Sequence, residues 1–138
     1  MTETTTTDTG SASSGVILEA DSPAGVPRAR DIARSFADGL VPVPATETAE
    51  TLALVVTELT TNALRHGGGR YTLELSATPD TVNVAVSDPS PAPPRMRTPD
   101  LSGGTGGFGW RMVRTLTSSL TVTFDPGQGK TILARLPR

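Results

Sequence analysis

The sequence predicts an α+β fold, a two-layer α/β sandwich whose sheet is mixed, mostly antiparallel, and covered by helices on one face. Three observations predict it. Apolar residues recur at helical spacing in two segments of the first half. Alternating segments follow in pairs, joined by the short turns Pro79-Asp80 and Asp125-Pro126-Gly127, which only antiparallel neighbours allow. Finally, 138 residues are enough to bury one core and too few for two.

Each element has its own signal. Residues 1–15 are a Thr/Ser-rich tail without apolar period, expected to be disordered, so the domain is expected over 16–138. Val16–Ala20 reads as an edge strand. A helix is expected from Pro27, a good first helical residue, to Leu40, with Ala29, Ile32, Ala33, Phe36 and Leu40 on its apolar face. Pro42 and Pro44 break it. The next helix runs from about Thr46, a candidate cap, to His66, where Gly67-Gly68-Gly69 stops it. Strands are expected at Tyr71–Ala77 and Val82–Ser87. A proline-rich stretch then leads into a glycine-rich segment and a helix from about Gly107 to Leu116. A hairpin of Leu120–Phe124 and Lys130–Leu136 ends the fold.

Composition narrows the function. Aromatics are only 4% of the chain, so the core must rest on Val, Leu, Ile and Ala. A net charge of −2 lacks the basic surplus of a dedicated nucleic-acid binder, and no direct nucleic-acid partner is expected. The absence of cysteine excludes disulfides and thiolate metal sites. No apolar run is long enough to span a membrane or to serve as a signal peptide, so a cytoplasmic protein is expected. Eleven of the twelve basic residues are Arg and only Lys130 is Lys, which reads as codon bias.

The second helix carries a polar seam. At 100° per residue, Leu52, Val55, Val56, Leu59 and Ala63 form an apolar stripe. Glu58, Asn62 and His66 follow at i, i+4 and i+8 along one border of that stripe. The seam is either a solvated helix margin or one wall of a site. Asp88 shares the parity of Val82, Val84 and Val86, so its carboxylate points inward if the strand runs one residue further. Otherwise it opens a turn at Asp88-Pro89-Ser90. Gly103-Gly104-Thr105-Gly106-Gly107-Phe108-Gly109 leads into a helix start, where unpaired N–H groups suit a phosphate. Two look-alikes fail. Gly104, Gly106 and Gly109 fit a dinucleotide fingerprint but follow a proline loop instead of a strand, and Gly129-Lys130-Thr131 has no helix after it.

Taken in order, these residues resemble a known family. Glu58-Leu-Thr-Thr-Asn62-Ala-Leu-Arg-His66 resembles the N-box of the Bergerat ATPases, the superfamily of histidine kinases and gyrase. Asp88 stands where those proteins read adenine, Gly107-Phe108-Gly109 is similar to their lid glycines, and Thr131 to their late threonine. Within the superfamily the chain looks most like the stand-alone anti-sigma-factor serine/threonine kinases. The resemblance implies a Bergerat ATP-binding fold with ATP and Mg²⁺ as cofactors. It makes Asn62 the metal ligand, and Asp88 the acceptor of the adenine amino group. Glu58 becomes the catalytic residue acting on the attacking hydroxyl. His66, Gly104, Gly106, Gly107, Phe108, Gly109 and Thr131 complete the nucleotide contacts, with Pro89–Gly106 as a mobile lid. Its implied partners are a sigma factor to sequester and an anti-sigma-factor antagonist to phosphorylate, with homodimerisation left open. A two-component histidine kinase is not expected, because the length leaves no room for a dimerising hairpin.

The chain departs from that family at one place. Asp88-Pro89-Ser90-Pro91-Ala92 has no glycine where D-x-G-x-G is usual, which keeps a catalytically weak or inactive ATP-dependent binding module as the alternative. Arg28, Arg30 and Arg34 on the first helix form either a basic docking ridge for an acidic partner or an ordinary solvated face.

Overall fold

The computed structural model describes residues 13–92, 107–127 and 129–138. Its elements, in chain order, are β1 (Ser13–Ala20), α1 (Gly25–Asp38), α2 (Thr46–His66), β2 (Tyr71–Ala77) and β3 (Thr81–Asp88), then α3 (Gly107–Leu116), β4 (Ser119–Asp125) and β5 (Gly129–Pro137). The five strands form one sheet in the order β1-β2-β3-β5-β4. All four pairings are antiparallel, where a partly mixed sheet was expected. Gly104, Gly106 and the expected lid beyond Ala92 lie outside the described residues.

Alternation along the strands decides which face is covered. Leu73, Leu75 and Ala77 of β2, Val82, Val84 and Val86 of β3, and Ile132, Ala134 and Leu136 of β5 are buried toward the helices. The residues between them, among them Thr72, Asn83, Ser87 and Thr131, form a more polar opposite face. Helix α2 is the hub, touching β2, β3, β5 and both other helices. Its stripe of Leu52, Val55, Val56, Leu59 and Ala63 is buried as its periodicity requires. Thr60 is buried with it because its hydroxyl donates to Val56 O at 2.8 Å, which satisfies the polar group inside the helix.

Element ends differ from expectation for local reasons. α1 begins at Gly25, which puts Pro27 within the first turn, where its missing N–H costs no helical bond. Gly39 N–H closes α1 on Ser35 O and Phe36 O, and Leu40 beyond it still packs into the core. Thr46 is the first residue of α2 and not its cap: Ala45 holds that position without a side-chain bond. β1 starts at Ser13, three residues inside the expected tail, because Ser13 pairs with Ala77 at the far end of β2. β3 runs on to Asp88.

Leu59 is fully buried where α2 lies against the sheet. Leu59→Ala should lower the unfolding free energy by about 2–5 kcal/mol, since its neighbours can only partly close the cavity. Denaturant unfolding monitored by circular dichroism checks this.

Candidate functional site

Three chain segments converge at the carboxyl end of β3. Asp88 is the last residue of that strand, 4% exposed, and its inward parity is the one read from Val82, Val84 and Val86. Lys130, opposite it on β5, is 2% exposed and donates from Nζ to Asp88 Oδ1 at 2.9 Å. The Ser90 N–H donates to the same oxygen at 2.9 Å, and Nζ also reaches Ser90 O at 3.4 Å. Asp88 Oδ2 is buried and has no hydrogen-bond partner. A buried carboxylate oxygen left unsatisfied is costly, and marks a place where a donor from outside is wanted.

The convergence is tight enough to need glycine. A Cβ on Gly67, just past α2, would stand 2.5 Å from both Cγ and Oδ2 of Asp88. Gly129 has φ +96 and a Cβ there would overlap Asp88 O. Gly67 therefore does more than stop a helix: it lets the end of α2 touch the carboxylate.

From that contact the polar seam runs back along α2. Asn62 and Glu58 stand one and two further steps of i, i+4 from His66, about 6 Å per step along the axis. All three side chains are half-buried. Burial raises the Glu58 pKa above the usual glutamate range, opposed in lesser part by the positive charge of Arg65. Beside Asp88, on the β1 and β2 side, lies a cleft of about 470 Å³ whose walls include Glu19, Asp21, Arg70, Tyr71 and Pro89. The Tyr71 phenol is buried close to Gly25, and burial raises its pKa, opposed in lesser part by the Thr60 hydroxyl. Among the described residues no cluster of His, Asp or Glu could hold a metal by itself. A metal here would need an amide oxygen such as that of Asn62, together with oxygens from a ligand.

The residues read from the sequence are thus brought together unevenly. Glu58, Asn62 and His66 share one side of α2, and Asp88 closes its far end. Gly107, Phe108 and Gly109 form the first turn of α3, which packs on α2. Thr131 is not beside Asp88. It lies on the opposite face of the sheet, within 2.8 Å of the Ser87 hydroxyl, because it follows the inward Lys130 by one residue. Lys130 was assigned no role in sequence, yet it has the same parity as Ile132, Ala134 and Leu136 and so had to point inward. Two of the three arginines of α1, Arg30 and Arg34, are engaged within the chain. Arg30 Nε donates to Thr57 Oγ1 at 3.1 Å, and Arg34 lies 3.5 Å from Glu50.

The family model for the histidine kinase-like ATPase domain matches residues 20–136, the whole span that builds this site. The chain belongs to that family. The histidine kinase domain of the blue-light activated histidine kinase from Erythrobacter litoralis EL346 has the same fold, with a TM-score of 0.51 and 25% identity. The alignment covers 83% of this chain and 59% of that one, so the chain spans less than two thirds of the solved domain. No curated protein matches the chain. A histidine kinase-like ATPase domain binds ATP.

Because folding raises the Glu58 pKa, the stability that this group contributes is complete below the ordinary glutamate pKa. It is lost as pH rises through the folded value. Glu58→Gln should therefore raise the melting temperature at neutral pH, and the gain should vanish in acid. Thermal unfolding of both proteins across pH checks this.

Proposed function

We propose that this ATPase domain is an ATP- and Mg²⁺-dependent protein serine/threonine kinase of the anti-sigma-factor type. It phosphorylates a serine of an anti-sigma-factor antagonist and sequesters a sigma factor in the cytoplasm. The observation that carries the nucleotide reading is the buried Asp88, one oxygen saturated and one free, at the end of the helix that bears Asn62 and Glu58. The kinase and its partners rest on the sequence resemblance.

In this reading Asp88 Oδ2 accepts from the base, and the Asn62 side-chain oxygen holds the metal. ATP supplies the phosphoryl group, and Mg²⁺ offsets charge on its phosphates. Glu58 takes the proton from the attacking hydroxyl, and its raised pKa makes it a stronger base than a solvated glutamate. One observation favours the alternative of a binding module with little turnover. In the glycine-free segment after Asp88, the Ser90 and Ala92 N–H groups donate to Asp88 Oδ1 and Ser90 Oγ, so both are engaged internally. Incubation with radiolabelled ATP and the cognate antagonist separates the two. Label on an antagonist serine, lost in Glu58→Gln, supports the kinase, whereas ATP binding without label leaves the module.

Asp88→Asn should weaken ATP binding by about 1.5–3 kcal/mol, the worth of a hydrogen bond to a charged acceptor. Calorimetry measures it, with circular dichroism confirming that the variant is folded, since Lys130 loses its counter-charge in the same change. Asn62→Ala should leave the fold intact and remove the Mg²⁺-dependent part of the affinity, seen by titrating ATP with and without the metal.

A further inference from the structure

The base contact proposed for Asp88 uses Oδ2 and leaves the bond to Lys130 without a role. That bond is unusual for its setting. Both side chains are only 1% exposed, on adjacent strands, in a chain whose other basic residues are all Arg. Oδ1 receives two donors, Lys130 Nζ and the Ser90 N–H, while Oδ2 receives none. Ordinary packing would not select a lone buried ammonium here, because an apolar pair of similar volume is often as stable or more so.

Protonation makes a use for it. A carboxylate buried without a counter-charge takes up a proton well above its usual range. The protonated acid then offers an O–H where an amino group needs an acceptor. Other charges near this end are poorly placed to prevent that. Among the described residues, Glu19 and Asp21 of the cleft wall repel a carboxylate, Arg70 is exposed to screening solvent, Tyr71 lines the same cleft, and His66 ends α2 just before Gly67. Lys130 is the residue that donates to the carboxylate from within the sheet.

We propose that Lys130 is a positioning residue for nucleobase recognition: it keeps Asp88 ionised and turns the carboxylate so that Oδ2 alone faces an amino donor. This rests on the nucleotide reading of the site. One free oxygen suits the single exocyclic amino group of adenine. A base that presents two N–H groups to both oxygens finds Oδ1 occupied, so guanine nucleotides are disfavoured by the same arrangement.

The experiment compares wild type, Lys130→Met, and Asp88→Asn with Lys130→Met. ATP–Mg²⁺ affinity is measured by calorimetry from about pH 5.5 to about pH 8.5, a range in which an ordinary carboxylate stays ionised. The Asp88 carboxylate is titrated by NMR in the nucleotide-free proteins. The ratio of variant to wild-type affinity cancels the titration of the phosphates. For Lys130→Met this ratio should fall about tenfold per pH unit below a raised Asp88 pKa, because one proton then competes with the base. The double variant, which has no carboxylate to titrate, should bind weakly with a ratio independent of pH. A flat ratio for Lys130→Met, with an Asp88 titration like that of wild type, overturns the proposal. If Lys130→Met does not fold, wild type alone decides: an Asp88 that takes up its proton in the neutral range with Lys130 present overturns it equally. Wild type that fails to bind ATP overturns the nucleotide reading instead, whatever the carboxylate titration shows.

Discussion

A charged carboxylate inside a protein must be met by donors or it will not stay charged, and the end of β3 is arranged around that requirement. Asp88 is held from β5 by Lys130 and from its own loop by the Ser90 N–H. Gly67 beyond α2 comes up against the carboxylate, and Gly129 of β5 against the Asp88 and Pro89 backbone, only because neither carries a side chain. Removing one partner of such a pair typically costs about 3–5 kcal/mol, because the other charge is left stranded. The site and the sheet therefore share a foundation. The buried bond between Asp88 and Lys130 also joins β3 to β5.

Helix α2 converts that point into a line. Its apolar stripe presses on β2, β3 and β5, which fixes its rotation about its own axis. That rotation sets the border residues Glu58, Asn62 and His66 along one side of the helix. Aim is thus a by-product of core packing. Half-burial follows from the same geometry, and it raises the Glu58 pKa by stripping water from the carboxylate. The surface ion pair of Arg34 with Glu50 is of another order, since an exposed pair is worth at most about 1 kcal/mol.

Most of this was legible in the sequence where a period repeats. Helix α2 was readable because five apolar residues agreed on one face, and the inward turn of Asp88 because three valines set the parity before it. What escaped detection depended on meetings between distant segments. Lys130 has the parity of the β5 core, but its partner lies 42 residues away, and only the register of β3 on β5 brings the two together. Thr131 was placed by likeness to a motif, and one residue of offset sent it to the other face. Gly67 was read as a helix stop, since nothing local reveals that a carboxylate will press on its α-carbon. Caps and ends were the least legible, because Ala45 and Gly25 carry no side-chain signal of their own.

The strand order has a consequence for how the molecule comes into being. β5 is the last strand of the domain, yet it lies between β3 and β4 inside the sheet. During synthesis the first three strands can zip together as soon as they leave the ribosome. β4 then emerges with no neighbour to pair with, and the inner edge of β3 stays bare until residues 129–137 are free. That open edge is a surface on which another nascent chain could pair, so a chaperone that shields it guards the domain at its most exposed moment.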